Sequence, residues 1–177
     1  MPDKLGWRAN WGVIAPSTNT SVQPEFDEMR PRGVTNHMSR IWIPNEPVTS
    51  DEEFNNLMLN IRKEWDNAIL RVMTCNPDYL VMGMSSETFW GGLAQANELR
   101  ARMTAMTGLR VAMGSDACQA ALRCYGDIKR IGVLTPYWPI ADKNVKLFLE
   151  DCGFEVVVIK GLCCEGPTEM AQVTEKV

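Results

Sequence analysis

Histidine is almost missing from this chain: His37 is the only one among 177 residues. The six cysteines (Cys75, Cys118, Cys124, Cys152, Cys163 and Cys164) show no CxxC spacing and no Cys/His pairing. Zinc sites draw on clusters of those two residue types, so no metal site is expected. Basic residues are also in deficit, with 18 Lys and Arg against 22 Asp and Glu and a formal charge of -4. A chain without a basic stripe cannot neutralise a run of phosphates, which excludes nucleic acid as the main partner. Long apolar runs are absent too. No stretch reaches the length of a membrane span, and the N-terminus MPDKLGWR holds no signal-peptide core. The expectation is a soluble, cytoplasmic protein whose thiols are reduced and mostly buried.

What is present suffices for a core. With 45% hydrophobic residues, 177 residues should form one domain, or one and part of another. Residues 10–15 read as a buried strand, closed by Pro16-Ser17-Thr18-Asn19-Thr20. A second strand pattern covers 36–43, although His37, Ser39, Trp42 and Ile43 do not alternate cleanly. The clearest helix starts at Ser50 or Asp51 and runs to about Thr74. Phe54, Leu57, Met58, Ile61, Trp65, Ala68, Ile69 and Val72 recur along it at helical spacing. Ser50 with Glu53 fits a capping box, and Asn76-Pro77 ends the helix. Residues 79–84 form a third strand, and Leu93, Ala96, Leu99, Met103 and Met106 mark the helix after it, capped by Gly108. A strand at 109–113, a helix at 115–125 stopped by Gly126, a strand at 130–134, a helix at 141–152 and a strand at 154–159 follow. A last helix is expected from about Thr168, still running at Val177.

Short strands alternating with helices imply right-handed βαβ units, an α/β fold with a mostly parallel sheet. There is no low-complexity segment or short-period repeat, but there is a coarser echo. Trp11-Gly12-Val13-Ile14-Ala15-Pro16-Ser17 and Ile131-Gly132-Val133-Leu134-Thr135-Pro136-Tyr137 share strand, proline and hydroxyl in the same order. Two related halves are expected, residues 1–126 with four strands and residues 127–177 with the first two strands of a second.

Three strand-end loops are rich in small hydrogen-bonding groups: Pro16-Ser17-Thr18-Asn19-Thr20, Gly83-Met84-Ser85-Ser86 and Thr135-Pro136-Tyr137. In a parallel sheet all three open on one edge. Hydroxyls, an amide and helix N-terminal N–H groups converging there would bind a carboxylate and stabilise an enolate beside it. Singly, such residues also cap helices after strands.

With these loops the chain resembles the aspartate/glutamate racemase superfamily, in the branch of maleate cis-trans isomerases and arylmalonate decarboxylases. Gly12-Val13-Ile14-Ala15-Pro16-Ser17-Thr18-Asn19-Thr20 is similar to the isomerase opening. Val81-Met82-Gly83-Met84-Ser85-Ser86-Glu87-Thr88-Phe89-Trp90-Gly91-Gly92 is similar to the decarboxylase loop. The resemblance implies two pseudo-symmetric flavodoxin-like halves with parallel four-stranded sheets, the second incomplete here. It implies no cofactor, no metal and a small carboxylate or dicarboxylate substrate. Pro16, Ser17, Asn19, Met84, Ser85, Ser86, Thr135 and Tyr137 would bind that substrate. Racemases and isomerases of this superfamily use one cysteine from each half, whereas decarboxylases keep only the second. Gly83 stands at the first-cysteine position without a thiol, and the second would lie beyond Val177. The favoured expectation is therefore arylmalonate-type decarboxylation through an enediolate, with cysteine-mediated protonation. The alternatives are a maleate isomerase or amino-acid racemase, and a non-catalytic carboxylate-binding module. A homo-oligomer stays open, since no motif encodes the oligomeric state.

Other residues are weighed against plainer roles. Cys163-Cys164 offers a local nucleophile pair, but the resemblance sets the catalytic thiol further on. Cys118, Cys124 and Cys152 read as core residues on helix faces, and His37 as a structural histidine. Glu87 is read as a solvated carboxylate at a helix N-terminus rather than a base. Phe89 and Trp90 either line an aryl pocket or pack helix against sheet. The methionines fill the core.

Overall fold

The computed structural model describes residues 3–174. β1 (Ala9–Pro16) is the apolar run of the N-terminus, and its Val13, Ile14 and Ala15 are wholly buried. A strand buried on both faces belongs at the centre of a parallel sheet. β1 lies between β2 (Val34–Ile41) and β3 (Tyr79–Met82), and β4 (Val111–Met113) completes the order β2-β1-β3-β4, all parallel. The second strand starts and ends two residues earlier than the sequence suggests. Its ladder ends at Ile41, whose carbonyl accepts the Ser17 N–H at 2.8 Å, and Trp42 is exposed beyond the strand.

Period-two alternation divides the sheet into two faces. Ile14, Leu80, Met82, Val111 and Met113 pack with α2 (Asp51–Met73), whose buried stripe is Phe54, Met58, Ile61, Trp65, Ala68, Ile69 and Val72. The other face carries Trp11, Tyr79, Val81 and Ala112 toward α1 (Val22–Met29) and α5 (Gly114–Cys124). Ser50 caps α2 by accepting the Glu53 N–H at 3.2 Å. The return bond is shifted one residue outward: the Glu53 carboxylate accepts from Thr49 N–H at 2.6 Å and Thr49 Oγ1 at 2.8 Å. Those bonds hold its carboxyl below the usual range.

The helix after β3 is two helices, α3 (Ser85–Phe89) and α4 (Gly92–Thr107). The break lies at Gly91 and Gly92, with φ of 75° and 77°. α6 (Pro139–Asp151) occupies the space outside it: a Cβ on Gly92 would stand 2.5 Å from Asp151 Oδ2. Asn144 Oδ1 takes the Gly91 N–H at 2.8 Å, and Asp151 Oδ2 takes the Leu93 N–H at 3.0 Å, so α6 holds the residue before α4 and one N–H of its first turn.

β5 (Arg130–Thr135), α6 and β6 (Glu155–Gly161) form one βαβ unit with a parallel strand pair. Val145, Phe148 and Leu149 of α6 cover one face of that pair, while Leu134 and Val158 on the other face are exposed. The fold is thus α/β, with a four-stranded parallel sheet and a separate parallel pair. The last helix, α7 (Pro167–Gln172), stops earlier than expected. Val173 and Thr174, both β-branched and poor helix formers, lie outside it, and the rest of the expected helix falls on residues 175–177, outside the described residues. α1 has no counterpart in the sequence reading. Pro24 and a polar composition hide it, and none of its residues is buried. Among the described residues no helix is long and apolar enough to cross a membrane.

The thiols depart from expectation. Cys75, Cys118 and Cys124 are exposed, Cys152 and Cys163 are half-buried, and only Cys164 is buried. Cys118 and Cys124 ride on α5, whose single buried residue is Ser115, so that helix turns most of its surface outward.

Candidate active site

The carboxyl ends of β1, β3 and β4 meet the β5–α6 loop around a cavity of about 640 Å³. The N-terminal half of α2 supplies one wall through Phe54, Leu57, Met58 and Ile61, and α7 closes another through Pro167 and Met170. No charged side chain lines it among the described residues. Its polar groups come from three loops.

At the end of β3, Gly83 is tied to the sheet by its N–H to Ile14 O at 2.7 Å. Met84, Ser85 and Ser86 follow on the cavity wall as α3 begins. The Met84 side chain cannot cap this helix, and none of the three serves as a side-chain cap, so the first N–H groups of α3 are left to other acceptors. The Ser85 hydroxyl meets the Tyr137 hydroxyl of the β5–α6 loop at 2.6 Å. Tyr137 is buried and stands edge-on to Phe54, with ring centroids 5.9 Å apart. Burial pushes its phenol up to about 12. The Ser85 hydrogen bond pulls it down, and Cys118 and Asp142 nearby push it up. At neutral pH Tyr137 is therefore an uncharged O–H donor.

The β1 loop contributes less than the sequence suggests. Pro16 and Asn19 line the cavity. Asn19 Oδ1 accepts the N–H groups of Ser21 and Val22 at 3.0 and 2.8 Å, which starts α1 and leaves the amide nitrogen without a partner among the described residues. Ser17 is outside the lining. Its hydroxyl takes the Ile43 N–H at 2.9 Å and donates to Ile43 O at 3.2 Å, which fastens the chain after β2. Thr18 stands on the wall instead, with a buried hydroxyl that has no partner. Thr135 is also withdrawn from the cavity, because its buried hydroxyl donates to Asp142 Oδ1 at 2.5 Å.

Several residues have other duties. Glu87 is not solvated: it is buried, and Arg62 Nε donates to its Oε1 at 2.7 Å while Oε2 has no partner. Burial raises its pKa, and Arg62 only partly offsets this. Phe89 packs edge-on to Phe148 at 5.1 Å, and Trp90 stacks on Phe54 at 6.4 Å, so these two rings join helices and are not on the cavity wall. His37 Nε2 pairs with Thr35 Oγ1 at 2.9 Å, away from the site. Cys118, expected in the core, is on the cavity wall, where desolvation raises its pKa and keeps it a thiol. Sequence reasoning missed Thr18 and Cys118. The Phe54, Leu57, Met58 and Ile61 stripe was legible as a core face, but not as a wall that overhangs the sheet edge.

The fold is that of known enzymes. The maleate cis-trans isomerase of Nocardia farcinica, with a covalently bound succinylcysteine intermediate, matches with a TM-score of 0.78 and 18% identity over 94% of this chain and 69% of that one. The maleate isomerase Iso of Pseudomonas putida S16 matches with a TM-score of 0.77 and 20% identity over 94% and 69%. Arylmalonate decarboxylase matches with a TM-score of 0.65 and 19% identity over 93% and 65%. This chain thus spans about two thirds of the length of each. Among curated proteins no sequence matches it. The sheet order, the strand-end cavity and these likenesses agree with a family model for arylmalonate decarboxylase that matches residues 71–177, more than half of the chain, and the chain belongs to that family.

Proposed function

We propose that this protein is a cofactor-independent enzyme that decarboxylates a substituted malonate. The observation that carries the reading is the contrast inside the cavity. The Ser85 and Tyr137 hydroxyls stand 2.6 Å apart on walls that are mostly apolar and hold no charged side chain among the described residues. Ser85, Ser86, Tyr137 and the Asn19 amide would donate to the carboxylate that stays. The other carboxylate would face Met84 and the α2 wall.

The chemistry suits that division. The C–C bond breaks and carbon dioxide leaves uncharged, while the electron pair moves onto the retained carboxylate as an enediolate. A charged group in apolar surroundings is lost, and the charge gathers where the donors are. A proton from an acid then restores the C–H bond at the same carbon. By the resemblance that acid is a cysteine, and Gly83 offers no thiol for it. An isomerase keeps both carboxylates charged throughout and needs donors for both. The apolar α2 wall beside the Ser85 and Tyr137 donors supports the decarboxylase reading.

Phenylmalonate, phenylacetate and maleate titrated into the protein by calorimetry test the binding step, and labelled carbon dioxide from carboxyl-labelled phenylmalonate tests the reaction. Phenylmalonate should bind more tightly than maleate and lose affinity in Ser85→Ala and Tyr137→Phe. Tighter maleate binding with turnover would make the protein an isomerase. Binding of dicarboxylates with no turnover would make it a binding module.

A further inference from the structure

Tyr137 is held by an assembly that the cavity walls do not account for. Its N–H donates to Thr135 Oγ1 at 3.1 Å, and the same hydroxyl donates to Asp142 Oδ1. Thr135 Oγ1 therefore spends both its donor and an acceptor on one geometry. Thr135 and Asp142 are each more than nine-tenths buried, at 5% and 8% exposure. From below, three successive N–H groups take the three carbonyls of the loop. Leu162 donates to Thr135 O at 2.9 Å, Cys163 to Tyr137 O at 3.1 Å and Cys164 to Pro136 O at 3.1 Å. Trp138 Nε1 closes the arrangement on Cys164 O at 3.0 Å.

Two backbone features show how closely these layers meet. A Cβ on Gly161 would collide with Asp142 Oδ2 and with Tyr137 O, so only glycine fits there. Cys163 has φ of 52°, a left-handed conformation that non-glycine residues seldom adopt. Such conformations persist where surrounding bonds over-determine them, and here its N–H and that of Cys164 are both engaged. The neighbouring cysteines thus serve through their backbones, which gives the Cys163-Cys164 pair a role other than nucleophile.

We infer that Asp142 and Thr135, braced by the Gly161–Cys164 segment, are positioning residues that aim the Tyr137 hydroxyl at Ser85 and at the substrate carboxylate. This rests on the reading that Tyr137 binds that carboxylate. Neither residue touches the cavity. They act by fixing the Tyr137 backbone while Phe54 fixes the ring, which leaves the hydroxyl one place to stand. Pre-set donors of this kind cost no reorganisation when charge develops on the bound carboxylate.

The test pairs variants that keep the chain of bonds with variants that cut it. Thr135→Ser and Asp142→Asn retain a hydroxyl and an acceptor; Thr135→Val and Asp142→Ala do not. Two readouts are followed on each folded variant: phenylmalonate affinity, and ionisation of the Tyr137 phenol by ring-carbon NMR up to pH 10.5, its resonance assigned by Tyr137→Phe. Wild type, Thr135→Ser and Asp142→Asn should stay un-ionised over this range. Thr135→Val and Asp142→Ala should begin to ionise at least one pH unit lower as the ring gains access to water, and should bind phenylmalonate at least tenfold more weakly. Unchanged titration and affinity in a folded Thr135→Val or Asp142→Ala would overturn the proposal. A lowered titration in those variants, with no carboxylate binding even by wild type, would leave the positioning role standing and refute the functional reading. Should Thr135→Val fail to fold, the Asp142→Ala and Asp142→Asn pair decides the matter alone.

Discussion

A single methyl group at Gly83 measures how closely the chain has closed around the position where the resemblance expects a thiol. A Cβ there would stand 3.0 Å from Ile14 O, 3.0 Å from Val22 Cγ1 and 3.5 Å from Ala15 Cβ. The first contact is the hard one. Ile14 O belongs to the wholly buried central strand and already accepts the Gly83 N–H at 2.7 Å, so it cannot retreat without breaking that bond. The second is softer, because Val22 opens α1, a short helix with no buried residue. Overpacking of this kind costs about 1–3 kcal/mol, which for a chain of this size lowers Tm by roughly 2–12 °C. Gly83→Ala and Gly83→Cys should lose similar amounts, since the shared Cβ and not the sulfur makes the contacts. In a double-mutant cycle Val22→Ala should recover about 0.5–1 kcal/mol of the loss, because the two sites touch. Urea unfolding of the four proteins in the alanine cycle supplies the numbers. Gly83→Cys as stable as wild type, or a cycle with no coupling, would refute the contact geometry.

Three further outcomes follow from the same contacts. Arg62→Met leaves Glu87 buried without its partner and should cost about 3 kcal/mol at pH 8. Since the Glu87 pKa is raised on folding, the folded state holds its proton more tightly than the unfolded state does. The penalty therefore shrinks as pH falls through the folded value, and urea midpoints at pH 8 and pH 5 should converge toward wild type at the lower pH. Ser50→Ala removes the acceptor for the Glu53 N–H and should lower stability by about 1 kcal/mol in thermal unfolding. Ser85→Ala and Tyr137→Phe each remove a neutral donor to an anion, worth about 1.5–3 kcal/mol, so calorimetry should show phenylmalonate affinity falling roughly 10- to 150-fold.

Local pattern is enough for much of this molecule. Val13, Ile14 and Ala15 form an unbroken apolar run bounded by Pro16, and that composition suits only a strand covered on both faces. The stripe from Phe54 to Val72 and the Ser50 cap define α2 almost to the residue, because helical period and capping are properties of neighbours in the chain. Gly91 and Gly92 illustrate the opposite case. Glycine alone does not end a helix. The break there depends on Asn144 and Asp151, more than fifty residues away, which take the N–H groups of Gly91 and Leu93.

The site divides along the same line. That the β1 and β3 loops open on one edge follows from strands alternating with helices in the sequence, since parallel strands of one sheet put such loops at the same end, whereas the β5 loop belongs to the other sheet and reaches Ser85 only through packing. Which hydroxyls reach the cavity does not follow, because a serine or threonine side chain bonds whatever backbone group is nearest. Ser17 is taken by Ile43 and Thr135 by Asp142, while Ser85 is left for Tyr137 and Thr18 stays on the wall. Glu87 likewise reads as a solvated helix-start carboxylate until Arg62 of α2 is packed over it. The sequence by itself therefore determined the order of the strands, the α/β class, the shared edge of the β1 and β3 loops and the absence of a thiol at Gly83. Only the tertiary structure decided which polar groups face a ligand, because those choices rest on contacts between residues that are distant in the chain.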